Sequence, residues 1–269
     1  MQRIVFASSG DMKERIVAEA AVAIAMQAKA ELVVVQAVVD KCETTPFSLA
    51  EVQELARSWG GEVQSRAVVH RCCEDVGDTL LDIIGQLQPD LVVAGTHQRR
   101  GLAALVRGSV AESVARNLDI PSLILPLEGY PLVDSKNGTL LLDRVIVAAG
   151  DIEAIKAGLR ALNTLMQAIG RSTKAVLARV ETNGTKEFSL DTIDAGLRSN
   201  QWIQSEWLQL RGDDVAEELS RFVRSSHASM VIMATRGHDQ LADALRGSTT
   251  ERVLRSIDRP LLVVPIQGS

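Results

Sequence analysis

Two stretches of this chain lie over one another without a gap: "DLVVAGTHQRRGLAALVRGSVAESVARNLDIPSLILP" from Asp90 to Pro126, and "SMVIMATRGHDQLADALRGSTTERVLRSIDRPLLVVP" from Ser229 to Pro265. They share Thr96 and Thr235, Leu102 and Leu241, Arg107-Gly108-Ser109 and Arg246-Gly247-Ser248, Glu112 and Glu251, Pro121 and Pro260, and Pro126 and Pro265. The similarity extends upstream, where "RIVFASSGD" at Arg3 resembles "RVIVAAGD" at Arg144, and "FSL" recurs at Phe47 and Phe188. A fixed-period repeat constrains a fold more than any composition, because each copy must close its own core. With 269 residues, the chain is two copies of a domain of ordinary size. The polar "VDSKNGT" from Val133 to Thr139 reads as the junction. The expected division is a first domain over 1–131, a linker over 132–142 and a second domain over 143–269.

Within the first copy, β-branched runs alternate with helical patterns, the signature of a parallel sheet wound with helices. The expected strands are Arg3 to Ser8, Glu31 to Val39, Glu62 to Val69, Asp90 to Gly95 and Ser122 to Pro126. Leu80, Ile83, Ile84 and Leu87 mark one apolar helix face, and Val215, Leu219 and Phe222 do the same in the second copy. In an open sheet of this type a ligand lies beyond the carboxyl ends of the strands, where the winding reverses. The last strand of each copy is short and fenced by prolines, "PSLILP" and "PLLVVP", which suits a sheet edge because proline donates nothing to a ladder. Two copies in one chain can satisfy each other's edge, so an intrachain pseudo-dimer is expected.

Composition narrows the function classes. The net charge of −5 offers no basic field for nucleic acid or an anionic membrane. The N-terminus "MQRIVFASSGDMKERIV" lacks the layout of a signal peptide, and no apolar run approaches the ~20 residues that span a bilayer. A cytoplasmic protein is expected, with Cys42, Cys72 and Cys73 as reduced thiols. "HRCC" at His70 to Cys73 lacks a second ligand cluster, so no metal site is expected.

The loop between Gly95 and Ser109 follows a strand end and opens a helix, and its counterpart runs from Ala234 to Ser248. Glycine lets a backbone approach a phosphate closely, and the first turn of a helix offers free N–H groups to an anion. Ser109 with Glu112 and Ser248 with Glu251 also fit the S-x-x-E capping box. Arg99, Arg100, Arg107, Arg236 and Arg246 lie in or beside the loops, where arginine can pair with phosphate in a bidentate fashion. His97 and His238 lie there too, without a carboxylate at fixed spacing.

A strand end followed by G-x2-G-x9-G-[ST] resembles the ATP-binding motif of the universal stress protein family, and the whole chain looks like a tandem member. The resemblance implies two doubly wound α/β sandwiches of five parallel strands in the order 3-2-1-4-5. It implies ATP as ligand, with contacts from Gly95, Gln98, Gly108, Ser109 and Val110 in the first copy. In the second copy the implied contacts are Ala234, Arg236, Gly237, Gly247, Ser248 and Thr249. Each copy departs from the motif at one glycine, Gln98 in the first and Ala234 in the second. The adenine-reading Asp that ATP-binding members carry after the first strand is replaced by Ser9 and Gly150, with Asp11 and Asp151 displaced along the loop.

The expected function is adenine-nucleotide binding in at least one copy, the second by preference, as a regulatory signal in stress response, with protein partners and a homodimer as possible further associations. An interaction module with decayed pockets is the alternative. A slow ATPase or phosphotransferase using Ser109, Ser248 or Thr249 stands third. No activated base accompanies those hydroxyls and no G-x4-G-K-[ST] loop is present, so enzymatic activity is not expected.

Overall fold

The computed structural model describes residues 1–8, 12–39, 48–72, 76–97, 119–182, 191, 193–236 and 249–266. The chain forms two compact units, Met1–Leu141 and Leu142–Ser269. In the first unit the strands are β1 (Arg3–Ser8), β2 (Glu31–Val39), β3 (Ser65–Cys72), β4 (Leu91–Thr96) and β5 (Ser122–Pro126), with helices α1 (Arg15–Ala28), α2 (Leu49–Ser58) and α3 (Val76–Leu87). Their spatial order is β3-β2-β1-β4-β5, and every neighbouring pair is parallel. The expected order 3-2-1-4-5 is therefore realised. Strands in such a sheet are covered on both faces and read as continuous apolar runs, as in β1, where Ile4, Val5, Phe6 and Ala7 are all buried.

Helix α1 is buried nearly all round from Val17 to Ala25, the pattern of a helix covered on more than its sheet side. Its outer cover is a hairpin, β6 (Val133–Asp134) with β7 (Thr139–Leu140), which packs on α1. The stretch 132–142, expected as a linker, thus carries structure of the first unit up to Leu141. Leu132, Val133 and Leu140 are buried, Trp59 Nε1 donates to the Ser135 carbonyl at 3.0 Å, and Gln27 Nε2 donates to the Gly138 carbonyl at 3.1 Å. The polar Ser135 to Gly138 is the turn that joins β6 to β7, whose register is Val133↔Leu140 and Asp134↔Thr139. Gly138 has φ +71°, a conformation that favours glycine.

The second unit repeats the scheme with β8 (Arg144–Ala148), α4 (Ile152–Ile169), β9 (Thr173–Glu181), the short α5 (Ala195–Arg198), β10 (Ile203–Arg211), α6 (Val215–Ser225), β11 (Met230–Arg236), α7 (Thr249–Ser256) and β12 (Leu261–Ile266). Its order is β10-β9-β8-β11-β12, again parallel throughout. Helix α4 begins at Asp151, whose side chain accepts from the Ala154 N–H at 2.8 Å, and ends at Gly170 in the left-handed region, φ 67°.

Two local expectations shift. Strand β3 starts at Ser65 rather than Glu62, because its pairing with β2 begins at Leu32↔Ser65 and runs on to Val39↔Cys72. On α6 the buried face is Ala216, Leu219, Ser220 and Val223, while Val215 at the first position is 37% exposed. The face is set by the approach of the helix to β9 and β10, one residue on from the one that the apolar spacing selects. On α3, Leu80 and Ile84 are fully buried as expected.

Candidate functional site

Right-handed crossovers from β8 toward β10 place their helices on one face of the sheet, and those toward β12 place theirs on the other. The winding therefore reverses between β8 and β11, and a crevice at the carboxyl ends of these two strands is the natural ligand position. The ladder records the opening directly. Strand β11 pairs with β8 only over Met230–Ile232, opposite Val145–Val147, but continues with β12 as far as Arg236↔Ile266. Beyond Ala148, β8 stays with β9, the Ala149 N–H donating to the Ala178 carbonyl at 2.8 Å.

Across this opening, Arg236 Nη2 donates to Asp151 Oδ2 at 2.5 Å. The two residues are 85 apart in the chain and come from the end of β11 and the cap of α4. Arg236 is the last residue of β11. Asp151, read from the sequence only as a displaced carboxylate, is its partner; no spacing in the sequence announces that contact. Gly150 is exposed, and a Cβ built on it meets nothing within 4 Å. Thr249 opens α7, whose Glu251 pairs with Arg255 at 2.6 Å. Arg252 binds Asp214 Oδ2 at 2.7 Å, tying α7 to the cap of α6. That guanidinium, followed by the Glu217 N–H, holds the Asp214 carboxyl below its ordinary range.

In the first unit, Ser8 Oγ donates to Glu14 Oε2 at 2.7 Å and both are buried. Lys13 pairs with Glu128 at 2.8 Å and holds its carboxyl below the ordinary value. His97 follows Thr96 as Arg236 follows Thr235, so the second unit carries a permanent cation where the first carries an imidazole.

The first motif position has an unexpected role. A Cβ on Gly95 would come within 2.6 Å of Leu127 Cδ2 and 2.9 Å of Val17 Cγ2, and its φ is outside the left-handed region. Glycine here makes room for α1 and for the chain after β5. In the second unit the residue at the place of Val17 is Gly158, at the spacing that relates Arg3 to Arg144 and the helix caps Lys29 and Gly170. A Cβ on Gly158 would lie 2.8 Å from Val147 and 3.4 Å from Ile232. The helix position is thus Val17 in one unit and Gly158 in the other, and the strand position Gly95 in one and Ala234 in the other.

Of the site residues named from the sequence, the structure describes Gly95, Ala234, Arg236 and Thr249. Gln98, Gly108, Ser109, Val110, Gly237, Gly247 and Ser248 lie outside the described residues, as do Ser9 and Asp11. A hollow of about 420 Å³ lies at the amino ends of β8–β10, lined by Asp143, Lys174, Asn200 and Trp202 among others. It is at the opposite end of the strands from the motif, and its Asn200 Nδ2 already donates to Asn163 and Gly196. Among the described residues no helix is long and apolar enough to cross a membrane.

A family model described as "Universal stress protein family" matches residues 1–126 and 159–265. Among solved structures, a universal stress protein from Archaeoglobus fulgidus DSM 4304 is similar with TM-score 0.71 and 15% identity, over 98% of this chain and 96% of that one. A functionally unknown protein from Pseudomonas aeruginosa PAO1 is similar with TM-score 0.64 and 14% identity, over 99% and 93%. At these identities the likeness concerns the fold. No curated protein shows significant sequence similarity to this chain.

Proposed function

The chain belongs to the universal stress protein family, and from that premise we propose that it binds an adenine nucleotide, ATP, in its second unit by preference, as a regulatory signal in stress response. The observation that carries this reading is the Arg236 guanidinium, 66% exposed, at the end of the strand that parts from β8. A guanidinium fits a phosphate with two parallel hydrogen bonds. The open space at Gly150 leaves the crevice free of a side chain at the place of the missing adenine-reading carboxylate.

In this reading Gly237 and Gly247 let the backbone approach the phosphates, and Ser248 and Thr249 offer N–H groups where α7 begins. Gly95, Gln98, Gly108, Ser109 and Val110 form the weaker site of the first unit, where a neutral amide replaces a glycine. The protein acts in the cytoplasm as a binder rather than a catalyst: occupancy shifts a population of loop arrangements that partners read. A second reading, an interaction module without nucleotide, draws on Ser9 and Gly150 standing where the family reads adenine.

Calorimetric titration of ATP separates the two. We expect a tighter saturable event that Gly247→Asp abolishes and Gly108→Asp leaves in place, since a carboxylate in the loop of the second unit repels the phosphates bound there. A folded chain that shows no saturable heat overturns the nucleotide reading.

A further inference from the structure

The Asp151–Arg236 ion pair sets a cation at the mouth of the second crevice against a carboxylate of the same chain. Asp151 is not a loose partner. Its backbone is extended, φ −146° and ψ 178°, and its Oδ1 is engaged by the Ala154 N–H at 2.8 Å, so the carboxylate is anchored at the start of α4 with Oδ2 turned to Arg236. Arg236 is the more exposed member, a long side chain 66% exposed at the last residue of β11, against 46% for Asp151. Because β8 and β11 separate after Ile232 and Val147, the pair bridges the crevice where the strands no longer hold each other.

Resting on the nucleotide reading above, we propose that Asp151 is an intramolecular competitor for the ligand's phosphates. Arg236 is held by Asp151 in the empty crevice and exchanges that carboxylate for a phosphate on binding. The exchange trades one charge-assisted pair for another, so the ligand gains only the difference between them. The carboxylate left behind then repels the bound anion. The device belongs to the second unit alone, since His97 occupies the corresponding place in the first. Its consequence is selectivity: a singly charged anion gains little by displacing the carboxylate, while a polyphosphate of higher charge displaces it more readily.

The test is a double-mutant cycle on the full chain, read by calorimetry at low salt on the binding event that Gly247→Asp abolishes. Asp151→Ser and Asp151→Asn both keep an N-cap oxygen for α4 and remove the charge; thermal melts check that each variant is folded. With Arg236 present, either variant is expected to tighten ATP about threefold to tenfold, with the gain shrinking as salt screens the pair. In an Arg236→Gln background the same changes are expected to act less than about twofold, because the pair is already gone. Inorganic triphosphate, which has no base, should show the same pattern. Equal tightening in both backgrounds, or none with Arg236 present, overturns the competition while leaving nucleotide binding intact. Absence of ATP binding to every variant and to the parent chain overturns the proposed function itself.

Discussion

Gln36 is a residue whose surroundings contradict its chemistry. It is 1% exposed on β2, in register with Ser8, and neither atom of its amide has a hydrogen-bond partner. A buried amide without partners costs free energy that an apolar side chain of similar shape does not. Gln36→Met is expected to raise stability by about 1–2 kcal/mol, seen as a higher urea midpoint; a lower midpoint would mean that the amide is in fact satisfied. Glu31 is the opposite case. It accepts from Arg3 Nε and Arg66 Nε, each at 2.7 Å, and hydrogen bonds from first Arg3 and then Arg66 hold its carboxyl below 4.5. A depressed carboxylate contributes stability that is present above its ordinary value and lost as pH falls through the depressed one. The guanidiniums are 36% and 44% exposed, so the effect is screened: Glu31→Gln is expected to cost about 1 kcal/mol at neutral pH. That difference should vanish in denaturant melts carried well below pH 4.5.

At the scale of elements, the hairpin over α1 turns a stretch of linker composition into part of a unit. Its fit depends on Gly138, where a Cβ would come within 2.6 Å of the Trp59 indole at φ +71°. Gly170, the C-cap of α4, has a similar φ of +67° but open space around it. The two separate backbone strain from collision. Gly170→Ala is expected to cost about 1 kcal/mol, and Gly138→Ala about 2–3 kcal/mol, because an indole must also move. Equal losses in thermal or urea melts would show that Trp59 yields without cost. Helices α1 and α4 illustrate the same dependence on neighbours: occupying matching places in their units, α1 is buried nearly all round and α4 on one face.

Across the whole molecule, duplication has kept the strand order and changed what the strand ends carry. Both units run 3-2-1-4-5 with parallel neighbours, yet the residue after the shared threonine is His97 in one and Arg236 in the other. Gly95 makes room for Val17 and Leu127, whereas Gly158 makes room for Val147 and Ile232, so the two units bring helix and sheet together at different glycines. The proposed preference of ATP for the second unit is a statement about this divergence, and the stoichiometry of the titration checks it at the level of the full chain.

The repeat, the alternation of strand and helix, the apolar strands and the position of the loops at strand ends were legible in the sequence, because periodicity and burial are local properties that a chain displays along its length. The strand order was legible through resemblance. The tertiary structure alone decided that the 132–142 stretch carries a hairpin, that Gly95 answers to Val17 and Leu127, and that Arg236 is held by Asp151. Each of these is a meeting of residues distant in sequence. Such contacts depend on where two strands part and how closely a helix sits on its sheet, quantities that only the assembled backbone defines.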